Sequence, residues 1–510
     1  MASASEKLAE SLEYLKSLQD KGVVAIQSKD LTRTHRERLV MNGFIREVMK
    51  GWYITSRPNE RPGDSTPWYT SFWEFCAAYL TERLGVDWCL SAEQSLNLHI
   101  GDKTVPSQLL VRSPSGRNKP TDLLYGTSIF DVKYPMPKPV NLETKDGLHL
   151  YSLPAALVYC LPNCFISQPT QIRAALSMVT DASEVLAVLL EGGHSKIAGR
   201  LAGAFRNIGR DKIAENIIKG MRAADYTVCE IDPFEDSPSI TFGRRDVSPY
   251  VNRLRLMWAE MREPVIEYFP SSPSDVKDID VYMQQVEDIY VTDAYHSLSI
   301  EGYRVTPELI EQVRSGQWNP DNDEEDKEYL DALAAKGYWD AFQEVKKTIK
   351  RVLEGENSGE VFDDMHSDWY FALFGPSVTT GIIKQSDLAG YRTGPVYIRR
   401  SMHVPPSKEA VRDMMPALFE LLQEEENPAV RIVLGHFIFV YIHPYFDGNG
   451  RMGRFLMNVM MAAGGYPWTV VPVEQRDEYM SALEAASVEQ NIVPFTKFLR
   501  ALMIKGPGLN

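Results

Sequence analysis

Cysteine is scarce in this chain and does not pair up: Cys76, Cys89, Cys160, Cys164 and Cys229 are the five among 510 residues, all in the first half. An odd number without close CxxC pairs argues against a disulfide framework or a zinc cluster and predicts buried, reduced thiols. Apolar runs of membrane-spanning length are also missing. The opening Met1-Ala2-Ser3-Ala4-Ser5-Glu6-Lys7 leads into an amphipathic segment instead of a signal-peptide core. Together these two absences predict a cytoplasmic protein with no membrane partner. Positive charge is in deficit as well. With a formal net charge of −15 the chain as a whole is no polyanion binder, and any nucleic-acid contact requires a local basic patch.

In bulk the remainder is ordinary, with 44% hydrophobic and 24% charged residues, as expected of a globular protein. The length calls for about two to four domains, and three zones can be read. The first, 6–58, has leucines at 8, 12, 15 and 18 at helical spacing. A helix start follows near Ser28-Lys29-Asp30-Leu31, then a second helix over 33–42 that stops at Gly43. Residues 44–48 and 51–54 alternate like two strands of a hairpin. The second zone, 64–246, is α+β: an aromatic-rich helix over 70–84, strand-like pieces at 109–111, 128–130 and 148–151, then helices over 182–190 and 212–221. It holds no repeat and no catalytic constellation, and residues 232–239 read as its exit linker. The third zone, 248–505, is strongly helical, with helices over 276–294 and 333–353 and an acidic, solvated insertion at 319–326.

Helix, turn, helix and wing in that order resemble the winged helix-turn-helix of AbiEi-type antitoxin regulators, and the middle zone resembles the second domain of that family more loosely. Between 28 and 50, six basic residues (Lys29, Arg33, Arg36, Arg38, Arg46, Lys50) face three acidic ones (Asp30, Glu37, Glu47). The resemblance implies DNA as a partner through residues 28–54; a winged helix used for packing or protein contacts, its charges merely solvated, is the alternative.

The most specific stretch is His443-Pro444-Tyr445-Phe446-Asp447-Gly448-Asn449-Gly450-Arg451-Met452-Gly453-Arg454. The apolar periodicity of 429–442 puts His443 at a helix end, held by Pro444, and a new helix begins near Gly450. A Gly-Asn-Gly turn entering a helix turns several backbone N–H groups toward one point, which makes an anion pocket. Asp447 beside it can hold Mg²⁺ through oxygen. Arg451 and Arg454, three apart, can grip phosphate oxygens, and His443 can take a proton near neutral pH.

The stretch matches the Fic-family signature H-P-F-x-D-G-N-G-R-x-x-R at every fixed position except Tyr445 for Phe, and the likeness continues through Phe455-Leu456-Met457-Asn458 and Gly464-Gly465-Tyr466-Pro467. It resembles metazoan Fic enzymes that modify chaperones, and many bacterial ones, over about 248–505. The resemblance implies that His443 is the general base for a Ser, Thr or Tyr hydroxyl of a target protein and that Asp447 binds Mg²⁺. Gly448, Asn449 and Gly450 would cradle the α- and β-phosphates of ATP. Arg451 would complete that grip, Arg454 would meet the γ-phosphate, and Asn458 would lie near the nucleoside.

Upstream, Ser297-Leu298-Ser299-Ile300-Glu301-Gly302 fits the Fic inhibitory pattern [S/T]-x-x-x-E-[G/N], which places an inhibitory helix near 290–302. Glu301 would pair with Arg454 in place of the γ-phosphate, braced by Ser297. Residues 391–406 resemble the Fic flap, a β-hairpin that aligns the target backbone by strand addition, anchored at Val396, Tyr397 and Ile398. The expectation is a mainly α protein whose helical Fic domain, with a short hairpin flap, follows a small winged helix-turn-helix and an α+β middle domain. Its expected activity is autoinhibited transfer of AMP from ATP to a protein. Two alternatives stay open: AMP removal with Glu301 positioning water, and a DNA-binding regulator that uses its Fic domain as a sensor. The target and any homo-oligomerisation are not readable.

Overall fold

The computed structural model describes residues 3–58, 64–234, 248–273, 278–318, 326–383, 388 and 390–505. Among these, twenty α-helices stand against nine strands of two to six residues, so the protein is mainly α. It divides into two compact units, one of Met1–Pro249 with Tyr397–Val404, the other of Tyr250–Val396 with Pro405–Asn510.

In the first unit, helices Ala4–Gln19 and Arg33–Met41 pack with a three-stranded sheet made of Ile26–Gln27, Trp52–Thr55 and Ile45–Met49 in that spatial order. The hairpin forms, with a bulge between Glu47 and Met49. The helix start foreseen near Ser28 is a turn, whereas the second helix foreseen over 33–42 forms as Arg33–Met41, with Thr32 capping it by accepting from the His35 amide. Five of the six basic side chains are engaged inside the unit: Lys29 with Glu82, Arg33 with Glu37, Arg36 with the Ser28 carbonyl, Arg38 with the Lys7 carbonyl, and Arg46 with Tyr125. Of these, Lys29 and Arg33 are neutralised by a carboxylate, and the other three bond neutral acceptors.

Further on, a four-stranded mixed sheet runs Cys89–Leu90, Gln108–Ser113, Ser128–Lys133, Pro120–Asp122, its central pair parallel. Trp68, Phe72 and Phe75 of helix Thr66–Leu84 are fully buried. All five cysteines are free; four are buried as expected, but Cys229 is exposed. The start of the foreseen linker is packed: Asp232 accepts from Asn207, and Phe234 lies against Phe165 and under the Arg173 guanidinium. Residues 235–239 fall outside the described residues. Residues 397–404 complete this unit, since Arg399 makes a two-pronged ion pair with Asp64 and the Met402 carbonyl accepts from the Val105 amide.

The second unit is a helical bundle around Pro428–Ile442 and Asn449–Ala463. Asn427 caps the first of these, accepting from the amides of Ala429 and Val430, and Pro428 sits at its first turn, where no N–H is needed. Helix Pro428–Ile442 is apolar almost all round, the signature of a central helix. Asn449–Ala463 is buried along nearly its whole length. Around this pair stand Ile279–Glu301, Asp326–Leu353, Ser358–Thr379 and Lys408–Glu424. The acidic insertion at 319–325 and the foreseen helix start at Val276 lie outside the described residues. No helix among the described residues is long and apolar enough to cross a membrane.

One expectation fails. Residues 391–406 form no strand; Pro395, Pro405 and Pro406 lack amide donors and Arg399-Arg400 turns, so no ladder can be built there. Val396, Tyr397 and Ile398 lie outside any helix or strand, and the last two belong to the first unit.

Candidate active site

Helix Pro428–Ile442 ends on His443, which takes the left-handed conformation at φ 53°. A side chain seldom adopts that geometry unless its surroundings impose it. His443 Nδ1 lies 3.3 Å from the Val440 carbonyl oxygen. A carbonyl only accepts, so the neutral ring carries its proton on Nδ1 and keeps the Nε2 lone pair available as a base. Burial pushes the imidazole down to about 4; the Val440 contact opposes this, the Arg392 charge adds to it, and Glu301 and Asp447 pull the other way. The ring is therefore neutral at physiological pH.

The loop after His443 is closed by Asn449. Its side-chain oxygen accepts from the Tyr445 amide at 2.9 Å and its nitrogen donates to the Tyr445 carbonyl at 2.8 Å. Its side chain is thus spent on loop shape, which leaves only its backbone to face a phosphate. Gly448, at φ 81°, opens the next helix with no side-chain cap, so the first amides of that helix stay available to an anion. A Cβ on Gly448 would stand 2.8 Å from the Phe374 ring, so glycine is required there on two counts. Asp447 accepts from the Gly448 amide at 2.6 Å and pairs with Arg451 at 3.3 Å, while its carboxylate stays largely exposed. Tyr445 stacks on Tyr370 at a centroid distance of 3.8 Å, a packing role that phenylalanine also fills.

Both arginines are buried and face opposite requirements. Arg451 lies between the rings of Tyr303 and Phe374, with its guanidinium carbon 5.3 and 5.1 Å from their centroids. Arg454 donates from Nε to Ser297 Oγ at 2.8 Å and from Nη2 to the Ser297 carbonyl at 3.0 Å and Glu301 Oε1 at 2.7 Å. Arg451 Nε and Arg454 Nη1 find no hydrogen-bond partner among the described residues. Buried donors left in that state are costly, and an anion would satisfy them.

Glu301 comes from the last turn of helix Ile279–Glu301, which Gly302 stops at φ 97°. A carboxylate at a helix C-terminus meets the unfavourable end of the helix dipole. Burial pushes its pKa up too, but Arg454 and Arg451 outweigh burial and hold it below the usual carboxylate value. Its Oε1 lies 2.3 Å from where a Cβ on Gly450 would stand, so the carboxylate sits directly against the first turn of the signature helix.

Residues 363–461 match the Fic/DOC family. The chain carries a Fic domain. The protein adenylyltransferase Fic of Drosophila willistoni and that of Drosophila melanogaster are each 28% identical to it over 221 residues, 42% of this chain and 40% of theirs. The chain thus spans about two fifths of the length of these curated relatives. Among solved structures, Fic-1 (residues 134–508) from C. elegans is 18% identical, covers 63% of this chain and 90% of its own, and aligns with a TM-score of 0.37. A Fic-domain signaling protein from Bacteroides thetaiotaomicron is 17% identical, covers 50% and 94%, and aligns at 0.33.

Within the second unit, His443, Asp447, Gly448, Gly450, Arg451 and Arg454 of the matched stretch gather at one place with Ser297 and Glu301, which precede it. Asn458 does not present a free side chain: both ends of its amide are engaged by Thr469, and its nitrogen also donates to the Arg454 carbonyl. Three neighbours escaped sequence reasoning: Tyr303, Arg392 and Asp293. Asp293, four residues before Ser297 on the same helix face, is buried and accepts from Tyr338 Oη at 2.6 Å and Trp468 Nε1 at 3.1 Å. Burial raises its carboxyl to about 6 despite those bonds. A carboxyl whose folded pKa exceeds its unfolded value of about 3.9 favours the fold fully below that value and loses the contribution as pH climbs through about 6. Asp293→Asn is accordingly expected to raise the melting temperature at pH 7.5 by roughly 2–4 °C. The gain should vanish near pH 4 in thermal melts; a loss of stability at pH 7.5 contradicts the assignment.

Proposed function

We propose that this protein is an autoinhibited adenylyltransferase that moves AMP from ATP to a Ser, Thr or Tyr hydroxyl of another protein. One observation carries the reading: the Glu301 carboxylate is paired with Arg454 and sits against Gly450, inside an otherwise complete anion pocket. An intramolecular carboxylate there stands in for the terminal phosphate of the donor.

In the reaction, the hydroxyl oxygen attacks the α-phosphorus, the bond from that phosphorus to the pyrophosphate oxygen breaks, and the hydroxyl proton passes to His443 Nε2. The tautomer held by Val440 has the lone pair for this step. The N-terminal amides of the signature helix, with Arg451 and Arg454, bear the charge of the phosphates. Asp447 would hold Mg²⁺, which would neutralise charge on the departing pyrophosphate. No cluster of three or more metal-ligating side chains exists among the described residues, and a nucleotide-borne Mg²⁺ asks for only one or two protein carboxylates. The exposed Asp447 fits that demand.

ATP affinity tests the pocket. Arg454→Ala in a Glu301→Gly background is expected to weaken ATP·Mg²⁺ binding by about tenfold or more, the scale of a lost charge-assisted pair, by titration calorimetry. Unchanged affinity removes Arg454 from the phosphate site. The opposite chemistry is checked with an AMP-bearing protein: release of AMP by the wild type that is lost in Glu301→Gly overturns transfer as the main activity.

A further inference from the structure

Arg392 is among the most buried cations of the second unit, 1% exposed, and no ion pair among the described residues includes it. Instead its guanidinium donates only to backbone carbonyls: Nε to His443 at 2.8 Å, Nη1 to Gly394 at 3.1 Å, and Nη2 to Pro406 and, at 3.4 Å, to Ile442. Its own amide donates to the Pro444 carbonyl at 2.9 Å. Three successive carbonyls around the base, those of Ile442, His443 and Pro444, are therefore fastened to one residue. The first two belong to the end of a helix, where carbonyls lack intrahelical partners. A buried cation without a carboxylate is expensive, and burial lowers the Arg392 pKa to about 10. A lone ring of carbonyls offsets that cost only because the planar fork can reach several at fixed angles.

We propose that Arg392 is the positioning residue for the catalytic base: by clamping the Ile442 and His443 carbonyls to those of Gly394 and Pro406, it holds His443 in its left-handed conformation and so aims the imidazole. This rests on the reading of His443 as the base. The same clamp brings together Gly394 and Pro406, which flank residues 395–405. The charged groups around the ring are Arg392 itself, Glu301 and Asp447. In a Glu301→Gly background, removing Arg392 takes away the one cation among these three and leaves the Asp447 carboxylate, so the imidazole should become easier to protonate.

Arg392→Met and Arg392→Lys, each in the full chain carrying Glu301→Gly, provide the test. Lysine keeps the charge but has no planar fork, which guards against a methionine variant that fails to fold. The expected result is a fall in kcat for AMP transfer of about a hundredfold in Arg392→Met and about tenfold in Arg392→Lys, within the range a mispositioned proton-transfer group costs. The Kd for ATP·Mg²⁺ should stay within about twofold, since Gly448, Gly450 and Arg454 are untouched. The ¹⁵N signals of His443 should show loss of the single Nδ1–H tautomer, and in Arg392→Met a raised titration midpoint. Equal losses in kcat and ATP affinity, or a folded Arg392→Lys with parental kcat and imidazole signals, overturn the proposal. If the Glu301→Gly parent transfers no AMP, the adenylyltransferase reading has failed; the imidazole signals and ATP affinity still decide the role of Arg392.

Discussion

Replacing Glu301 with glycine is expected to convert a nearly silent protein into one that places AMP on itself or on other proteins, raising transfer by on the order of 10- to 100-fold. The carboxylate and the terminal phosphate of ATP compete for one buried guanidinium, whose pKa is raised above its ordinary value chiefly by Glu301 against the cost of burial. Removing the carboxylate leaves Arg454 with its Ser297 bonds and a donor freed for the terminal phosphate. Glycine at 301 adds no bulk, so helix and pocket should persist. The effect is read as covalent AMP by intact-mass measurement after exposure to ATP and Mg²⁺. Wild-type protein that is modified as readily as the variant would defeat the idea of inhibition, and failure of both to be modified in the presence of a broad set of proteins would defeat the idea of transfer.

In that released background, His443→Ala should lower the rate by about 10²–10⁴-fold, the range for loss of a positioned general base. ATP affinity should hardly change, because Gly448, Gly450, Arg451 and Arg454, the residues assigned to the phosphates, are left intact. The pH profile adds a signature. A free histidine would lose activity as pH falls through about 6.5, whereas this one, held near 4 by burial, stays a base well below that. Activity of Glu301→Gly should therefore be sustained down to about pH 5 and fall only beneath it. An acid limb centred near 6.5 assigns the proton transfer to some other group.

Much of the site was legible because its parts are local. Apolar residues at helical spacing, Asn427-Pro428 at one end and His443-Pro444 at the other, fix the central helix with little help from distant contacts. Gly448 needs its positive φ wherever the loop is found. The pairing of Glu301 with Arg454 bridges 153 residues, and only a short sequence pattern hinted at it. Asp293 gave no such hint: one aspartate on an amphipathic helix reads as solvated, and its burial is decided by Tyr338 and Trp468 arriving from elsewhere. Arg392 was hidden for the same reason, since a loop arginine next to glycine and proline looks exposed until the carbonyls that surround it are brought together. The foreseen flap hairpin, carried by the family resemblance of 391–406, misled because the prolines around Val396, Tyr397 and Ile398 deny it a ladder.

The eight residues from Tyr397 to Val404 have a consequence for the order in which the chain can be built. They belong to the N-terminal unit, and supply it with the Arg399 partner of Asp64 and with Met402 and Val404 against its apolar core. A ribosome that has translated the whole stretch up to Pro249 has therefore not yet made all of that unit. More than a hundred further residues of the other unit must be synthesised before the first can close, although domains are usually expected to fold one after another from the N-terminus. The two units are interleaved along the chain, and a protein cut anywhere between 250 and 396 would leave the first of them without its final piece.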